Sequence, residues 1–308
     1  MKTALVIGFG SIGQRHVRLL REMGLSVHVY SRRPLPEEKK YQSLEAVFKE
    51  IHPEYVVIAN ETSEHYSTLK TVLSFEVPQV LVEKPLFFST VAFSDNHNSQ
   101  VCVAYNLRFH PLLQQLCSTI EKQSVLSVQV YVGQYLPDWR PEQDYRQSYS
   151  VSRALGGGVL RDLSHELDYL SWLFGPWQAL TALGGHYSSL AGDSDDMFCL
   201  LLKLERCPAV VLQMNYLDRT GRREILINTD QHTYLLDLMK QEFTRDQEPV
   251  TSFSLERDET YRAQHRDILE NHGKSCCSLQ ESLDVLRMID AAEKSAKAES
   301  WQKNQALR

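Results

Sequence analysis

Lys84 combines a reactive residue type with a position that suits chemistry. It stands in the stretch LVEKPL, directly after an apolar run that is typical of a buried strand, with Glu83 before it and Pro85 after it. Ligands of a doubly wound sheet bind at the carboxyl ends of the strands, so the ammonium group is expected to point into a crevice. Pro85 has a fixed φ, favours extended geometry at Lys84 and permits a cis peptide bond, so the backbone under the lysine is well defined. An ion pair with Glu83 or Glu61 is the alternative, and the position favours a functional lysine.

A second group of polar residues lies in the stretch GGGVLRDLSHELDYLSWLFG, residues 156–175. The spacing predicts a helix whose apolar stripe consists of Leu160, Leu163, Leu167, Leu170 and Phe174. Asp162, His165 and Tyr169 then share a separate polar face. The imidazole could accept a hydroxyl proton while the carboxylate orients or charges it. An ordinary solvated face is the alternative, because an Asp-x-x-His pair is common.

The stretch GFGSIG has the spacing of a nucleotide-binding turn. It follows the first apolar strand and opens the first helix, which is the context that such a turn requires. Its glycines would permit a tight turn, close approach to a pyrophosphate and helix–strand packing, while the helix N-terminus offers N–H groups to the anion. An incidental glycine turn is the weaker alternative. The expected contacts are Gly8, Phe9, Gly10, Ser11, Ile12 and Gly13.

The residues after the second strand indicate which nucleotide is preferred. NAD-binding turns usually carry a carboxylate there for the ribose hydroxyls, whereas this chain has Ser31, Arg32 and Arg33. A hydroxyl and guanidinium groups suit a 2′-phosphate. The sequence therefore favours NADP, with NAD possible; two solvated arginines on a surface loop are the alternative.

The order of apolar segments predicts the elements that position these residues. From Lys2 to about Pro111, short apolar runs alternate with helical patterns, as in an α/β Rossmann domain with a doubly wound parallel sheet. After Pro111, longer strand-like runs indicate an α+β domain with a large, open, mostly antiparallel sheet. The expected domains are 1–111, which binds the dinucleotide, and 112–308, which binds substrate and forms oligomers.

Composition excludes several classes of partner. The formal net charge is −6 and no dense Lys/Arg block is present, which argues against nucleic acid or an anionic membrane as the main partner. The N-terminus lacks the pattern of a signal peptide and no apolar stretch reaches spanning length, so a cytoplasmic location is expected. The six cysteines lack metal-binding spacing, and we predict no metal site.

Taken together, these motifs resemble the Gfo/Idh/MocA oxidoreductase family of sugar and cyclitol dehydrogenases. The resemblance covers most of the chain and rests on GFGSIG, VVIANETSEH, the Glu-Lys-Pro triplet, VAYNLRFHP, the GGG segment and the closing AAEKSAKAES. It implies that Lys84 lies near the nicotinamide and the reacting hydroxyl, and that Asp162 and His165 bind or deprotonate the substrate. Further candidates for nucleotide binding are Asn60, Glu61, His65 and Glu83, and those for substrate binding are Tyr105, Asn106 and Arg108.

One departure from the family pattern affects the choice of base. Family members commonly place the histidine four residues after the aspartate, whereas Asp162 and His165 are three apart. Aligning the chain with the family on the glycines keeps Asp162 at the position of the family aspartate. Aligning it on His165 and Asp168 instead keeps His165 at the position of the family histidine. We favour His165 as the base because an unperturbed imidazole titrates near neutral pH.

The segment 133–153, GQYLPDWRPEQDYRQSYSVSR, predicts a substrate-binding loop. It contributes Trp139, Arg140 and Arg146, which with Arg108 could hold an anionic sugar, such as a nucleotide sugar or a sugar acid. A dimer-contact loop or an ordinary surface loop is an equal alternative.

The expected reaction is hydride transfer between a nicotinamide and a secondary alcohol or ketone of a sugar. The alternatives are a redox-neutral lyase or glycosidase that uses transient oxidation, and a non-catalytic nucleotide- or sugar-sensing protein. By resemblance, a homodimer or homotetramer forms through the C-terminal sheet.

Overall fold

The computed structural model describes residues 2–33, 41–93 and 97–307. Its strands are β1 Thr3–Ile7, β2 Ser26–Tyr30, β3 Tyr55–Ile58, β4 Gln79–Val82, β5 Gln100–Val103, β6 Val125–Gly133, β7 Trp177–Gly185, β8 Met197–Leu204, β9 Cys207–Asn215, β10 Arg222–Thr229, β11 Thr233–Asp237, β12 Glu242–Arg245, β13 Thr251–Ser252, β14 Cys277–Ser278 and β15 Gln302–Lys303. Its α-helices are α1 Ser11–Glu22, α2 Leu44–Ile51, α3 His65–Leu73, α4 Pro111–Ile120, α5 Val159–Asp162, α6 His165–Phe174, α7 Glu259–Asn271 and α8 Leu279–Ala298.

The chain forms two compact units. The first consists of Met1–Phe109 and Asp258–Leu283, and the second of His110–Arg257 and Asp284–Arg308. The sequence placed everything after residue 111 in one domain, whereas here a late segment groups with the first unit. The reason is packing, because Ile268 of that segment lies in the hydrophobic core of the first unit.

The first unit is built on a parallel sheet, as predicted. Its six strands run in the order β14-β5-β4-β3-β1-β2, and β14 alone of these runs antiparallel to its neighbour, β5. Strands β3 and β4 are buried along their whole length, as their continuous apolar runs require. The strand order reverses between β1 and β3, so the carboxyl ends of these strands form the crevice in which ligands of such sheets bind.

The second unit contains a large open sheet. Its nine strands run in the order β13-β12-β11-β10-β6-β9-β8-β7-β15, antiparallel except for the parallel pair β6 and β9. Residues alternate between a buried and an exposed face: Leu200 and Leu202 are buried, while Leu201 is 48% exposed. The α/β class with a second, mostly antiparallel sheet is therefore confirmed. No helix of the described ranges is both long and apolar enough to cross a membrane.

The stretch 156–175 is not the single helix that its periodicity predicted. Leu163 leaves helical geometry at φ −100° and ψ 26°, so α5 ends at Asp162 and α6 begins at His165. The start of α5 is fixed by Asp195, whose Oδ2 accepts the Leu160 N–H at 3.1 Å. Spacing of apolar residues survives such a break, which is why the pattern did not reveal it. Asp162 and His165 therefore belong to different helices.

Candidate active site

The glycine turn of the first unit has the shape of a dinucleotide cradle. Gly8 has φ +100°, and a Cβ there would lie 2.4 Å from the carbonyl oxygen of Ala59. A Cβ on Gly13 would lie 2.2 Å from the carbonyl oxygen of Gly8. Both positions therefore exclude a side chain, and α1 begins immediately after Gly10. The turn fits a pyrophosphate at the N-terminus of α1.

The two arginines after β2 have different environments. Arg32 pairs with Glu61 at 3.0 Å and with Glu64 at 2.8 Å, and these carboxylates raise its pKa. The backbone N–H of Arg33 donates to Ser31 Oγ at 3.0 Å, and its Nη1 lies 3.9 Å from the place that a Cβ on Gly10 would take. Arg33 therefore lies beside the glycine turn, whereas the charge of Arg32 is already balanced. Both Arg33 and Ser31 suit a 2′-phosphate better than Arg32 does.

Asn60 and His65 organise the segment that follows β3. Asn60 Nδ2 donates to Thr68 Oγ1 at 2.9 Å, while Asn60 Oδ1 is buried with no hydrogen-bond partner among the described residues. This unsatisfied oxygen is suited to accept a hydrogen bond from a donor group of a bound nucleotide. His65 is buried, with Nδ1 3.1 Å from the carbonyl oxygens of both Pro85 and Leu86, and burial lowers its pKa. His65 thus ties this segment to the backbone beyond Lys84 rather than offering its ring to a cofactor.

Lys84 lies at the end of β4, where the sequence placed it. Its bond to Pro85 is cis. The neighbouring Glu83 accepts the backbone N–H of Lys84 on Oε2 at 3.1 Å, while Glu83 Oε1 lies 2.9 Å from Nε2 of His16. The carboxylate of Glu83 is therefore used to hold the backbone at Lys84.

Asp162 is the centre of a polar cluster in the second unit. It is 6% exposed and accepts the Tyr216 hydroxyl on Oδ2 at 2.7 Å. The charge of Asp162 raises the pKa of the partly exposed Tyr149, and burial together with the same charge raises that of Tyr216. The edge of Trp139 contacts the Tyr216 ring at a centroid distance of 5.2 Å. Sequence reasoning missed both tyrosines.

His165 is half-buried at the first position of α6. The Tyr169 hydroxyl, expected on the same face, instead lies 3.5 Å from Glu166 Oε1. Glu166 in turn pairs with Arg223 at 2.7 Å. The break after Asp162 separates this residue from His165 and Tyr169, which both lie on α6.

Several residues expected to bind substrate have structural roles instead. Arg108 is 2% exposed and pairs with Glu281 at 2.9 Å. Asn106 donates to Thr260 at 2.7 Å, and Tyr105 is fully buried. These three side chains stabilise the first unit. The guanidinium of Arg108 is therefore engaged in the interior and does not act as an anion clamp.

The loop between β6 and α5, which the sequence predicts to bind substrate, carries exposed arginines. Arg146 is exposed and its Nε lies 2.8 Å from Asp144. Arg140 is exposed and, with Trp139 and Tyr149, lines an open pocket. Arg140 is therefore the arginine of this loop best placed to meet an anionic ligand. In the described part of the chain, no group of three or more His, Cys, Asp or Glu side chains could hold a metal ion.

A Rossmann sheet with a glycine cradle, in one chain with a large open sheet, defines the fold of a nicotinamide-nucleotide oxidoreductase. Residues 2–98 match the oxidoreductase family with an NAD-binding Rossmann fold, and residues 123–235 match the GFO/IDH/MocA C-terminal domain. The chain belongs to the Gfo/Idh/MocA family.

Individual relatives are distant. An uncharacterized oxidoreductase of Synechocystis sp. is 28% identical over 149 residues, which span 46% of this chain and 40% of that protein. Levoglucosan dehydrogenase with NADH is 15% identical, with a TM-score of 0.83 and 98% coverage of both chains. UDP-N-acetylglucosamine 3-dehydrogenase from Acidithiobacillus ferrooxidans is 17% identical, with a TM-score of 0.79 and coverage of 96% of this chain and 98% of that chain. An Agrobacterium radiobacter oxidoreductase with NAD⁺, L-tartaric acid and magnesium is 18% identical, with a TM-score of 0.84, covering 100% of this chain and 99% of that chain. The structural matches establish the fold.

Proposed function

We propose that the protein is an NADP-preferring oxidoreductase that transfers a hydride between the nicotinamide and a secondary alcohol or ketone of a sugar. The observation that carries the proposal is Lys84, held at the carboxyl end of β4 in the sheet that also carries the glycine cradle. A bound nicotinamide supplies the hydride chemistry. The cradle, Asn60, Ser31 and Arg33 would hold the nucleotide.

The protein groups handle charge and the proton. Lys84 would donate a hydrogen bond to the carbinol or carbonyl oxygen and stabilise its developing negative charge. His165 would take the hydroxyl proton on oxidation and return it on reduction. Asp162 suits an orienting role, because its Oδ2 already accepts the Tyr216 hydroxyl at 2.7 Å and this bond fixes the carboxylate in place. This supports His165 as the base.

The substrate is proposed to be an anionic sugar. Trp139 offers an aromatic face and Arg140 a guanidinium in the same pocket, and together they suit a sugar ring that carries a carboxylate or phosphate. One structural relative supports this class, since it is named for a nucleotide sugar.

The exposed sheet face is proposed to form a homodimer, or a homotetramer built from such pairs. Leu201, Val211 and Leu235 are 48%, 44% and 45% exposed. Leu201 pairs with Val211, and Leu226 pairs with Leu235, on the same exposed face of the sheet. Sedimentation of the wild-type chain should give a dimer or tetramer and that of Leu201→Asp a smaller species. A wild-type monomer at micromolar concentration would refute this part of the proposal.

Absorbance at the nicotinamide band tests the reaction. The chain is mixed with NADP⁺ or NADPH and a panel of neutral sugars, sugar acids and nucleotide sugars, with Lys84→Ala as the inactive control. Net cofactor reduction or oxidation by an anionic sugar supports the proposal. Sugar conversion without a net change in NADPH indicates the redox-neutral lyase or glycosidase. Binding of both ligands without turnover indicates a sensor.

A further inference from the structure

Three buried side chains of the first unit and the partly exposed Glu83 form a continuous hydrogen-bonded chain. The Tyr55 hydroxyl lies 2.8 Å from Nδ1 of His265, Nε2 of His265 lies 2.9 Å from Nδ1 of His16, and Nε2 of His16 lies 2.9 Å from Oε1 of Glu83. Tyr55, His265 and His16 are each 0% exposed. We call these four residues the buried chain. It links β3, α7 and α1 to the end of β4, next to Lys84.

Only one proton arrangement satisfies every member of the buried chain. His265 is the only hydrogen-bond partner of the Tyr55 hydroxyl within the described ranges, so the phenol must donate to Nδ1 of His265. His265 then carries its proton on Nε2 and donates to His16. His16 likewise carries its proton on Nε2 and donates to the ionised Glu83. Both imidazoles are neutral.

The opposite arrangement leaves a buried group unsatisfied. A doubly protonated His16 would donate to both Glu83 and His265, and His265 would then donate from Nδ1 to the oxygen of Tyr55. The phenolic hydrogen would have no acceptor in an environment without solvent, which is costly. The first arrangement is therefore the stable one.

The surroundings of His265 agree with a neutral imidazole. Burial and the neighbouring His16 lower the pKa of His265, and burial raises that of Tyr55, with smaller contributions from Cys276, Cys102 and Glu83. The edge of Tyr261 faces His16 at a centroid distance of 6.0 Å, and burial and Glu83 raise the pKa of Tyr261. The guanidinium of Arg15 lies over the Tyr261 ring, 4.9 Å from its centroid, and pairs with Asp258 at 3.2 Å.

We propose that the buried chain fixes the ionised Glu83 carboxylate, which in turn holds the backbone of Lys84. Glu83 has two oxygens and both are engaged: Oε1 accepts from His16, and Oε2 accepts the Lys84 N–H at 3.1 Å. Rotation of the carboxylate would break both bonds together. Tyr55, His265 and His16 are thus positioning residues for Lys84. The catalytic consequence rests on the proposed function, whereas the positioning of Lys84 does not.

Histidine NMR tests the proton arrangement without a substrate. Long-range ¹H–¹⁵N spectra of the full chain at neutral pH show which ring nitrogen of each histidine carries a proton. His16→Gln and His265→Gln variants assign the two signals among the eleven histidines. Both rings should be neutral with the proton on Nε2. An imidazolium signal for His16, or a proton on Nδ1 of either ring, would overturn the proposal.

Amide exchange tests the link to Lys84. In a chain labelled with [¹⁵N]lysine, His265→Phe should speed exchange of the Lys84 amide about tenfold, as expected for a weakened hydrogen bond to a charged group. The Lys203 amide of β8 should not change. His265→Gln keeps one donor and one acceptor and should restore much of the protection. His28→Phe, on β2, is the matched control. If Lys84 exchange is equal in wild type and His265→Phe, the proposal is wrong.

Kinetics then connect the buried chain to turnover. For an active substrate, His265→Phe should lower the single-turnover hydride-transfer rate about tenfold and leave nucleotide affinity within about twofold. The rate of His265→Gln should lie between those of the wild-type enzyme and His265→Phe. An unchanged rate would overturn the catalytic consequence. If the wild-type enzyme turns over no sugar, the proposed function fails, and the NMR and exchange results still decide the positioning of Lys84.

Discussion

Replacing Arg33 by alanine should convert the cofactor preference of the protein. Arg33 lies beside the glycine turn, with Nη1 3.9 Å from the place of a Cβ on Gly10, and its N–H bonds Ser31. A 2′-phosphate is the only group that distinguishes NADP from NAD. The substitution should therefore weaken the binding of NADP and leave that of NAD unchanged.

The size of this loss follows from the environment of the two arginines. A hydrogen bond to a charged group is worth roughly 1.5–3 kcal/mol, and Arg33 is exposed, so the lower part of that range applies and NADP should bind about ten- to fortyfold more weakly. Arg32 is the matched control. Its charge is already balanced by Glu61 and Glu64, so Arg32→Ala should change NADP affinity by less than about fivefold, as for an exposed ion pair.

Isothermal titration with NADP⁺ and NAD⁺ measures both effects. The affinity of Arg33→Ala for NAD⁺ should stay within about twofold of the wild-type value, because NAD carries no 2′-phosphate. Equal losses for NADP⁺ in the two variants, or a parallel loss of NAD⁺ binding in Arg33→Ala, would refute the assignment of Arg33 to the phosphate. A wild-type preference for NAD⁺ would do the same.

Three further substitutions test other parts of the structure. Gly13→Ala places a Cβ 2.2 Å from the carbonyl oxygen of Gly8, so it should weaken nucleotide binding at least about tenfold, measured by titration. Tyr216→Phe removes a 2.7 Å donor from the buried Asp162 and should lower the free energy of unfolding by about 1.5–3 kcal/mol in urea. Burial and Arg223 lower the pKa of His110 from 6.5 to about 4, so the unfolded chain binds a proton first as the pH falls. The contribution of neutral His110 to stability is thus complete above about pH 6.5 and is lost towards pH 4. In urea unfolding, the free energy of unfolding of His110→Asn should therefore fall less steeply than that of the wild-type chain between these two pH values.

Each of these has a control and a contrary outcome. Gly24→Ala meets no atom within 4 Å and should leave nucleotide binding unchanged, so equal effects of Gly13→Ala and Gly24→Ala would count against the cradle. Tyr149→Phe affects a partly exposed phenol and should cost less stability than Tyr216→Phe. If His110→Asn and the wild-type chain lose stability in parallel between pH 6.5 and pH 4, another group causes the decline.

The sequence predicts those features that short segments encode by themselves. The continuous apolar runs of β3 and β4 identify a covered parallel sheet, and the glycine spacing after β1 identifies the cradle, because each requires only neighbouring residues. The position of Lys84 follows from the same logic. The helix break at Leu163 is different, since an apolar stripe with helical spacing continues through it.

Sequence patterns do not identify contacts between residues that lie far apart in the chain. His16 and His265 are 249 positions apart, Arg108 and Glu281 are 173 apart, and no local pattern connects them. Spacing alone therefore suggests Arg108 as an anion clamp, whereas in the fold Glu281 neutralises the buried guanidinium. The same reason hid Tyr216, which reaches Asp162 from 54 positions away. In each case the fold, rather than the spacing, determines the role of the side chain.

Single-turnover hydride transfer by Lys84→Ala tests the central claim most directly. Enzyme saturated with NADP⁺ is mixed with the sugar that the panel identifies, and the nicotinamide absorbance is followed in a stopped-flow instrument. Loss of the ammonium group should slow the transfer by about a hundredfold or more, as for removal of one group that stabilises an oxyanion, while NADP⁺ affinity stays within about threefold. A rate near that of the wild-type enzyme would contradict the assignment of Lys84 to the reacting oxygen.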